Sequence, residues 1–567
     1  MPVTTSSETT GDARGVLVRL LLCTAAIFIF AAVLGLLLYR LHFGLDLSDE
    51  VYNAAFVDDW LKGDIRSSTF RMVHEITALL TYPLVDAYVN LTGSTDALFL
   101  FLRHVFLLGN LTASIFLFFY VRSWCGPVCA FFAMTAMLGF ILGGLPAPTY
   151  SHLGLQGLTA ALATLGCALT ATSRSQANAW ALSSAAAWGV TVIAYPTFYA
   201  VAGASIVLTY LLFRKGKVVT RVYLPAAVAS LFLAAALILF VFSPARVIDD
   251  FIFQSAFNSP SDVWRKIDWT LITFAFHHDF RWAFFCALAL GLVRPFLGVR
   301  ITAVAMAALI GCLLFFPVFP AAWVIRSHDA AMIGAVAGLG LLLDLRRAVD
   351  RERRVLASLY ATSLVAALVT AASSTVGLMA FPTGGFPAAV LAIAATGRDP
   401  HARVPTAIAL AALAGVVLLS SLTIYSGETP GTVKEREKIT WGAAKGLYLP
   451  KPQAELVNLM RDRVLPLLKS EDTVLVEGRY SGLGVLLPAR TKARSIYMMR
   501  RPYVTDTAIE ATRDFYADPR NRPDWVVVFR DDKIDYIDPI GDRFEEWYAP
   551  VWSEQAMDGT LRLFRRR

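Results

Sequence analysis

Apolar runs long enough to cross a bilayer recur along the first three quarters of the chain and are missing from the last quarter. A spanning helix takes about 20 mostly apolar residues. Runs that meet or approach this length fall near 16–39, 97–121, 128–144, 152–172, 179–194, 198–213, 222–243, 281–293, 301–317, 328–345, 355–372, 377–396 and 404–424. They predict about thirteen transmembrane helices. Beyond 424 the pattern becomes charged and proline-punctuated, with strand-like runs at Thr473–Val476 and Trp525–Phe529 and a helical stretch at Gln453–Leu468. That alternation predicts a small α/β domain. Residues 1–12, rich in Ser and Thr, predict an irregular terminus. No internal repeat of solenoid period is visible.

The charges between the runs set an orientation. With the amino terminus cytoplasmic, alternate connections carry Arg122; Arg174; Arg214, Lys215, Lys217 and Arg221; Arg294 and Arg300; Arg346, Arg347, Arg351, Arg353 and Arg354; and Arg398 and Arg403. All fall on the cytoplasmic side, as the positive-inside rule requires. The chain therefore reads as a polytopic α-helical membrane protein, with a cytoplasmic tail 1–15, a transmembrane domain 16–424 and a C-terminal extracytoplasmic α/β domain 425–567. Outside lie the loops 45–95 and 244–280 and the turns around Pro146, Pro196, 318–327 and 373–385.

Composition agrees, since 56% hydrophobic residues over 567 positions exceed what one soluble core could hide. The formal net charge of +8 is explained by the basic connections and implies no nucleic acid partner. The first run is long for a signal peptide, and no small-residue cleavage site follows Tyr39, so it predicts a retained span. The six cysteines lie in or beside the apolar runs and imply no disulfide framework. Cys125 and Cys129 lack a further Cys or His cluster to complete a zinc set.

The first outer loop carries the candidate chemistry. Directly after the first span comes Gly44-Leu-Asp46-Leu-Ser-Asp49-Glu50-Val-Tyr52, then Asp58-Asp59-Trp60-Leu61-Lys62-Gly63-Asp64, and residues 45–95 hold eight carboxylates against three Lys or Arg. A solvated acidic loop is the plain explanation; a carboxylate fixed at the rim of a helix bundle as a general base is the functional one. An Asp-Glu pair just beyond the first span, an aromatic after it and a following Leu-x-Gly-Asp resemble the GT-C superfamily of integral membrane glycosyltransferases. These include protein O-mannosyltransferases and the lipid A aminoarabinose and galacturonic acid transferases. Leu91-Thr-Gly93-Ser94-Thr95 leading into Leu98–Arg103, Ser373-Ser374-Thr375-Val376-Gly377, and Lys445-Gly446-Leu447-Tyr448 are similar as well. The motifs are short, and their order along the whole chain carries the resemblance.

The resemblance implies a GT-C-like fold and an inverting transfer from a polyprenyl-phosphate sugar, at the outer face, to a hydroxyl of a glycan, lipid or protein. It implies Asp49 as the base, with Glu50 orienting it or binding sugar hydroxyls, and Tyr52 beside them. Many relatives carry a second acidic residue followed by Gln in the first loop. Here Arg66 to Glu75 stands instead, which leaves Asp64 or Glu75 as substitutes. A second-loop Asp-x-Asp, the metal site of oligosaccharyltransferases, is missing. No cofactor is expected, although a divalent metal stays possible.

Candidate phosphate contacts are Arg71, Arg103 and Arg326. Arg103 lies about two turns into the second span, where a cation is either functional or paired, and Arg326-Ser-His328 closes the turn 318–327. A guanidinium fork suits phosphate; snorkelling or interface anchoring is the structural alternative. His277-His278-Asp279 predicts an interfacial cap, and 263–276 an amphipathic strip in the interface. The rival class is a transporter or lipid-linked-glycan flippase. Such proteins concentrate charges near the midplane and often repeat their halves, neither of which this sequence displays.

Overall fold

The computed structural model describes residues 9–257, 278–315, 326–345, 350–374, 377–423, 435–496, 499, 504–531, 536–557 and 559–567. Among the described residues, each expected apolar run falls largely on helix. The order is α1 (Thr9–Arg40), α2 (Tyr52–Lys62), α3 (Ala78–Thr92), α4 (Leu98–Cys125), α5 (Pro127–Gly139), α6 (Tyr150–Thr170), α7 (Arg174–Ala194), α8 (Phe198–Phe213), α9 (Leu224–Phe242) and α10 (Pro244–Phe257). Then come His278–Val293, Val299–Phe315, Arg326–Val336, Arg351–Ser373, Pro382–Ala394 and Arg403–Thr423. Among the described residues five helices are long and apolar enough to cross a membrane, and a sixth candidate, Ser327–Val336 with Leu339–Leu345, is bent by 41°. Five further apolar helices are shorter. The chain is thus a multi-pass membrane protein, while the count of thirteen crossings stays an expectation.

Burial sorts the helices into layers. The span Tyr150–Thr170 is 89% buried, whereas Val219–Phe242 is 17% buried. The latter exposes Phe232, Leu233 and Phe240, an apolar surface that suits lipid and not water. The two ends of the bundle differ in character. At one end Arg40 Nε donates to Ser421 O (2.8 Å) and its Nη2 to Gly144 O (3.0 Å), and Thr77 Oγ1 donates to Ala194 O (2.9 Å). At the far end of α4, about 42 Å away for 28 residues, Arg398 lies 5.4 Å from the Trp124 ring and 3.1 Å from Glu352. Arg398 thus lies at the end of α4 opposite the carboxy-terminal domain.

That domain docks on the first end. A short antiparallel pair, β1 (Arg436–Lys438) and β2 (Tyr448–Pro450), joins the exit of α1 through Gly44 N to Tyr448 O (3.0 Å) and Tyr448 N to His42 O (2.7 Å). A five-stranded sheet follows, β3 (Thr473–Gly478), β4 (Arg490–Thr491), β5 (Trp525–Asp531), β6 (Tyr548–Ala556) and β7 (Gly559–Arg566), in the order β4-β3-β5-β7-β6. β3 runs parallel to β4 and β5, and β7 pairs antiparallel with β5 and β6. The runs TVLV and WVVVF are near-continuous apolar because both faces of central parallel strands are covered.

Three expectations change. Residues 9–12 open α1 instead of forming an irregular terminus. The expected helix Gln453–Leu468 stops being regular at Leu459 and passes through a π-turn and a 3-10 turn that contains Pro466, as a missing N–H demands. The loop 45–95 is folded, with α2, two 3-10 turns and α3. The strip 263–276 and His277 lie outside the described residues, as do the side chains of His278 and Asp279.

Candidate functional site

The acidic turn is built by its own carboxylates. Asp46 Oδ1 accepts from Ser48 N (2.7 Å), Ser48 Oγ and Asp49 N (3.3 Å), a closure of the kind Asp favours in turns. Asp46 N donates back to Glu50 Oε2 at 3.1 Å. Glu50 in turn receives Arg103 Nε on Oε1 (2.5 Å) and Arg103 Nη2 on Oε2 (3.0 Å). The remaining N–H groups of Arg103 reach Leu41 O, Phe43 O (3.2 Å) and Gly44 O (2.6 Å). A guanidinium has five donors, and all five are engaged. Arg103 is 1% and Glu50 4% exposed. The expected phosphate contact at Arg103 is therefore corrected: it is a buried lock with no donor left for a ligand. Glu50 likewise orients the turn instead of meeting sugar hydroxyls.

The lock leaves Asp49 facing outward. Asp49 is exposed, and Tyr52 OH donates to its Oδ1 at 2.7 Å from the first turn of α2. The structure thus brings Asp49, Glu50, Tyr52 and Arg103 into one unit just past the end of α1. A carboxylate held this way can accept a proton from a group arriving from water or from the bilayer rim.

Asp58 and Asp59, read from sequence as part of a solvated loop, are buried. α2 turns them inward on consecutive positions. Asp58 pairs with Lys62 at 2.5 Å, and burial, against the opposing pull of Lys62, raises its carboxyl to about 6. Asp59 takes a two-point grip from Arg490, Nε to Oδ1 (2.9 Å) and Nη2 to Oδ2 (3.3 Å), the fork-to-carboxylate geometry in which Arg is strongest. Arg490 Nη1 also donates to Ser67 Oγ (2.8 Å), and Lys62 Nζ to Leu487 O (2.6 Å). Asp64 stands exposed beside this clamp. A second brace is tighter still: Gly482 N donates to Leu47 O at 2.9 Å, and a Cβ at 482 would lie 2.1 Å from Val51 Cγ2. The carboxy-terminal domain therefore holds the acidic turn from above.

Glu75 belongs to a different cluster. It is fully buried, receives Trp60 Nε1 (2.8 Å) and Arg246 Nη2 (2.6 Å), and has its carboxyl raised by burial despite Arg246. Its expected role against substrate is thereby corrected to a structural one. Arg71 reaches Asp249 at 3.2 Å from a half-exposed position. Arg246 and Asp250 escaped notice in the sequence, although their i, i+4 spacing on α10 signals one helix face. Asp250 Oδ2 lies 3.9 Å from Arg246 Nε, and burial, then the neighbouring Glu75 charge, pushes its carboxyl up to about 7 while Arg246 and Arg71 pull it down.

This raised value fixes a pH dependence. The folded pKa exceeds the ordinary 3.8, so the contribution of Asp250 to stability is full below about 3.8 and is lost as pH rises through about 7. Asp250→Asn stays neutral at every pH. Thermal unfolding between pH 4 and pH 8 should therefore show Tm of the wild type falling relative to the variant as pH rises; parallel curves would contradict the burial argument.

The remaining expected residues lie at the turn after α5. His328 Nε2 accepts from Gly143 N (3.0 Å) and His152 Nε2 from Leu142 N (2.9 Å), while His152 Nδ1 meets Thr149 Oγ1 at 2.8 Å. His328 is 5% exposed and fixes this turn. His74 stacks on Tyr150 at 3.8 Å, and Tyr150 stands 5.4 Å from Tyr195. The backbone of Arg326 opens its helix, and its side chain lies outside the described residues. Among those described, no group of three or more His, Cys, Asp or Glu is placed to hold a metal ion.

No family model matches this sequence. No curated protein matches it either. Among solved structures, ArnT from Cupriavidus metallidurans in the apo state is similar at TM-score 0.40 and 13% identity, over 95% of this chain and 98% of its own. The same protein bound to undecaprenyl phosphate gives 0.43 and 14%, over 95% and 97%. The archaeal oligosaccharyltransferase AglB from Archaeoglobus fulgidus, in complex with an inhibitory peptide and a dolichol-phosphate, gives 0.47 and 12%, over 89% and 69%.

Proposed function

We propose that this protein is a GT-C-type glycosyltransferase that moves a sugar from a polyprenyl-phosphate donor to a hydroxyl on a glycan, lipid or protein at the outer membrane face. The observation that carries this reading is the exposed Asp49 on a turn locked to the end of α1 by Glu50 and Arg103. A rim position lets a lipid phosphate that stays in the interface meet a water-borne acceptor. In the step, the acceptor oxygen attacks the anomeric carbon, the bond from that carbon to the phosphate oxygen breaks with inversion, and the acceptor proton passes to Asp49.

Tyr52 steadies the carboxylate through its 2.7 Å hydrogen bond. Arg71 and Arg326 are the cations we assign to the departing polyprenyl phosphate, on which charge accumulates. Asp64, exposed beside the Arg490 clamp, is assigned to donor or acceptor hydroxyls, and His328 to holding the turn after α5 beneath the site. Purified protein in liposomes with a labelled polyprenyl-phosphate sugar and envelope acceptors tests the reaction. Label should leave the carrier lipid for an acceptor; label that only crosses the bilayer on its carrier would establish the flippase instead.

The same reading puts the amino terminus in the cytoplasm and residues 425–567 outside, because every basic connection then lies inside. A periplasm-type reporter fused at Gly427 should be active and a cytoplasm-type reporter silent. The reverse pattern would remove both the topology and an outer-face reaction.

A further inference from the structure

The segment Leu61-Lys62-Gly63-Asp64 has no part in the base at Asp49, and its glycine meets the carboxy-terminal domain. Gly63 is extended (φ −157°), a backbone that any residue adopts, so the position needs room and not conformational freedom. A Cβ there would lie 2.5 Å from Arg490 Cζ. The Arg490 guanidinium therefore packs directly on the backbone of the first outer loop.

From this position Arg490 bolts the turn that follows. Its Nη1 donates to Ser67 Oγ (2.8 Å), Ser67 Oγ donates on to Asp64 O (2.7 Å), and its Nη2 reaches the same carbonyl at 3.4 Å. Ser67 N closes the 3-10 turn on Asp64 O as well, at 2.9 Å, and Arg246 Nη1 holds the next carbonyl, Ile65 O, at 3.0 Å. The fork of Arg490 on Asp59, whose side chain is 0% exposed, anchors the whole arrangement. The backbone at Asp64 is thus fixed by two cations. Its carboxylate is spent on none of this: it caps no N–H of its turn and takes no hydrogen bond or ion pair among the described residues.

The same stretch of the domain reaches the other acidic turn. Gly482 N holds Leu47 O (2.9 Å), Leu487 O accepts from Lys62 Nζ (2.6 Å), and Arg490 completes the row. Residues 482–490 form one template under the two turns that carry Asp49 and Asp64.

We infer that Arg490 is a positioning residue for sugar transfer, which fixes the Asp64 carboxylate relative to the base at Asp49. This inference rests on the assignment of Asp64 to substrate hydroxyls. A carboxylate accepts from two hydroxyls at once, so it selects a sugar by hydroxyl spacing only if it is held in place. A displacement of about 1 Å costs on the order of 10²-fold in rate. The carboxy-terminal domain therefore shapes the fit of the substrate without touching it.

The test is a double-mutant cycle in full-length protein in liposomes. Arg490→Lys keeps a cation beside Asp59 but cannot span Asp59, Ser67 and Asp64 O together. Gly63→Ala keeps every charge while its methyl drives the guanidinium off these partners, and it serves if the lysine variant folds poorly. Each should lower kcat/KM about 10- to 100-fold. Asp64→Ala should lower kcat/KM too, and adding either clamp variant to it should lower it no further, because the group they position is gone. A clamp effect of equal size with and without Asp64 would make Arg490 a purely structural contact and overturn the inference, as would an Asp64→Ala variant with wild-type kcat/KM. Hydrogen exchange at the amides of Ser67 and Ser68 reads the clamp without any reaction, and both clamp variants should speed it. A wild type that moves no sugar refutes the transferase reading, whereas unaltered exchange in both variants refutes the clamp, so the two failures are told apart.

Discussion

Asp49→Asn should transfer sugar about 10²–10⁴-fold more slowly than the wild type, the range typical of losing a general base. The exchange keeps size and lets Tyr52 OH still donate to the amide oxygen, so the turn that Asp46 and Glu50 close is undisturbed. Tm and donor KM should therefore hold while kcat falls. Glu471→Gln, an exposed acid of the carboxy-terminal domain, is the fitting control. Asp58 and Asp59 are unsuited to that use, since both are buried and one anchors Arg490. A variant that transfers at the wild-type rate would move the base elsewhere, with Asp64 the exposed carboxylate next in line.

The sequence made the helices legible wherever lipid is the solvent, because an apolar run of spanning length has few other uses. The tail strands were readable for the same reason, as β3 and β5 are covered on both faces. The first outer loop was not, since its acidic composition says nothing about which carboxylates turn inward. Asp58 and Asp59 look as solvated as Asp49 in a string of letters, yet their partners Lys62 and Arg490 are 4 and 431 residues away. Long-range pairing also hid the place of Arg103, which was settled by three backbone carbonyls at the exit of α1. Glu75 misled for a related reason: its cation, Arg246, comes from α10, 171 residues further along the chain.

Arg103→Ala should be among the most damaging single changes in the protein. It strands the Glu50 carboxylate in a buried site and leaves the carbonyls of Leu41, Phe43 and Gly44 without their donor. Removing one partner of a buried ion pair costs about 3–5 kcal/mol, and each orphaned carbonyl adds to that. The variant should therefore be recovered in low yield with Tm well below the wild type. Arg103→Lys separates the lock from the discarded phosphate role, because an ammonium keeps the charge but cannot fork across both Glu50 oxygens and the three carbonyls. Lysine should lower Tm and kcat together, as the turn under Asp49 loosens, with donor KM little changed. Combining Glu50→Gln with Arg103→Met should recover part of the Tm lost in Arg103→Ala, since a neutral pair strands no charge. A lysine variant with wild-type Tm and kcat but a tenfold higher donor KM would return Arg103 to the lipid phosphate and undo the lock.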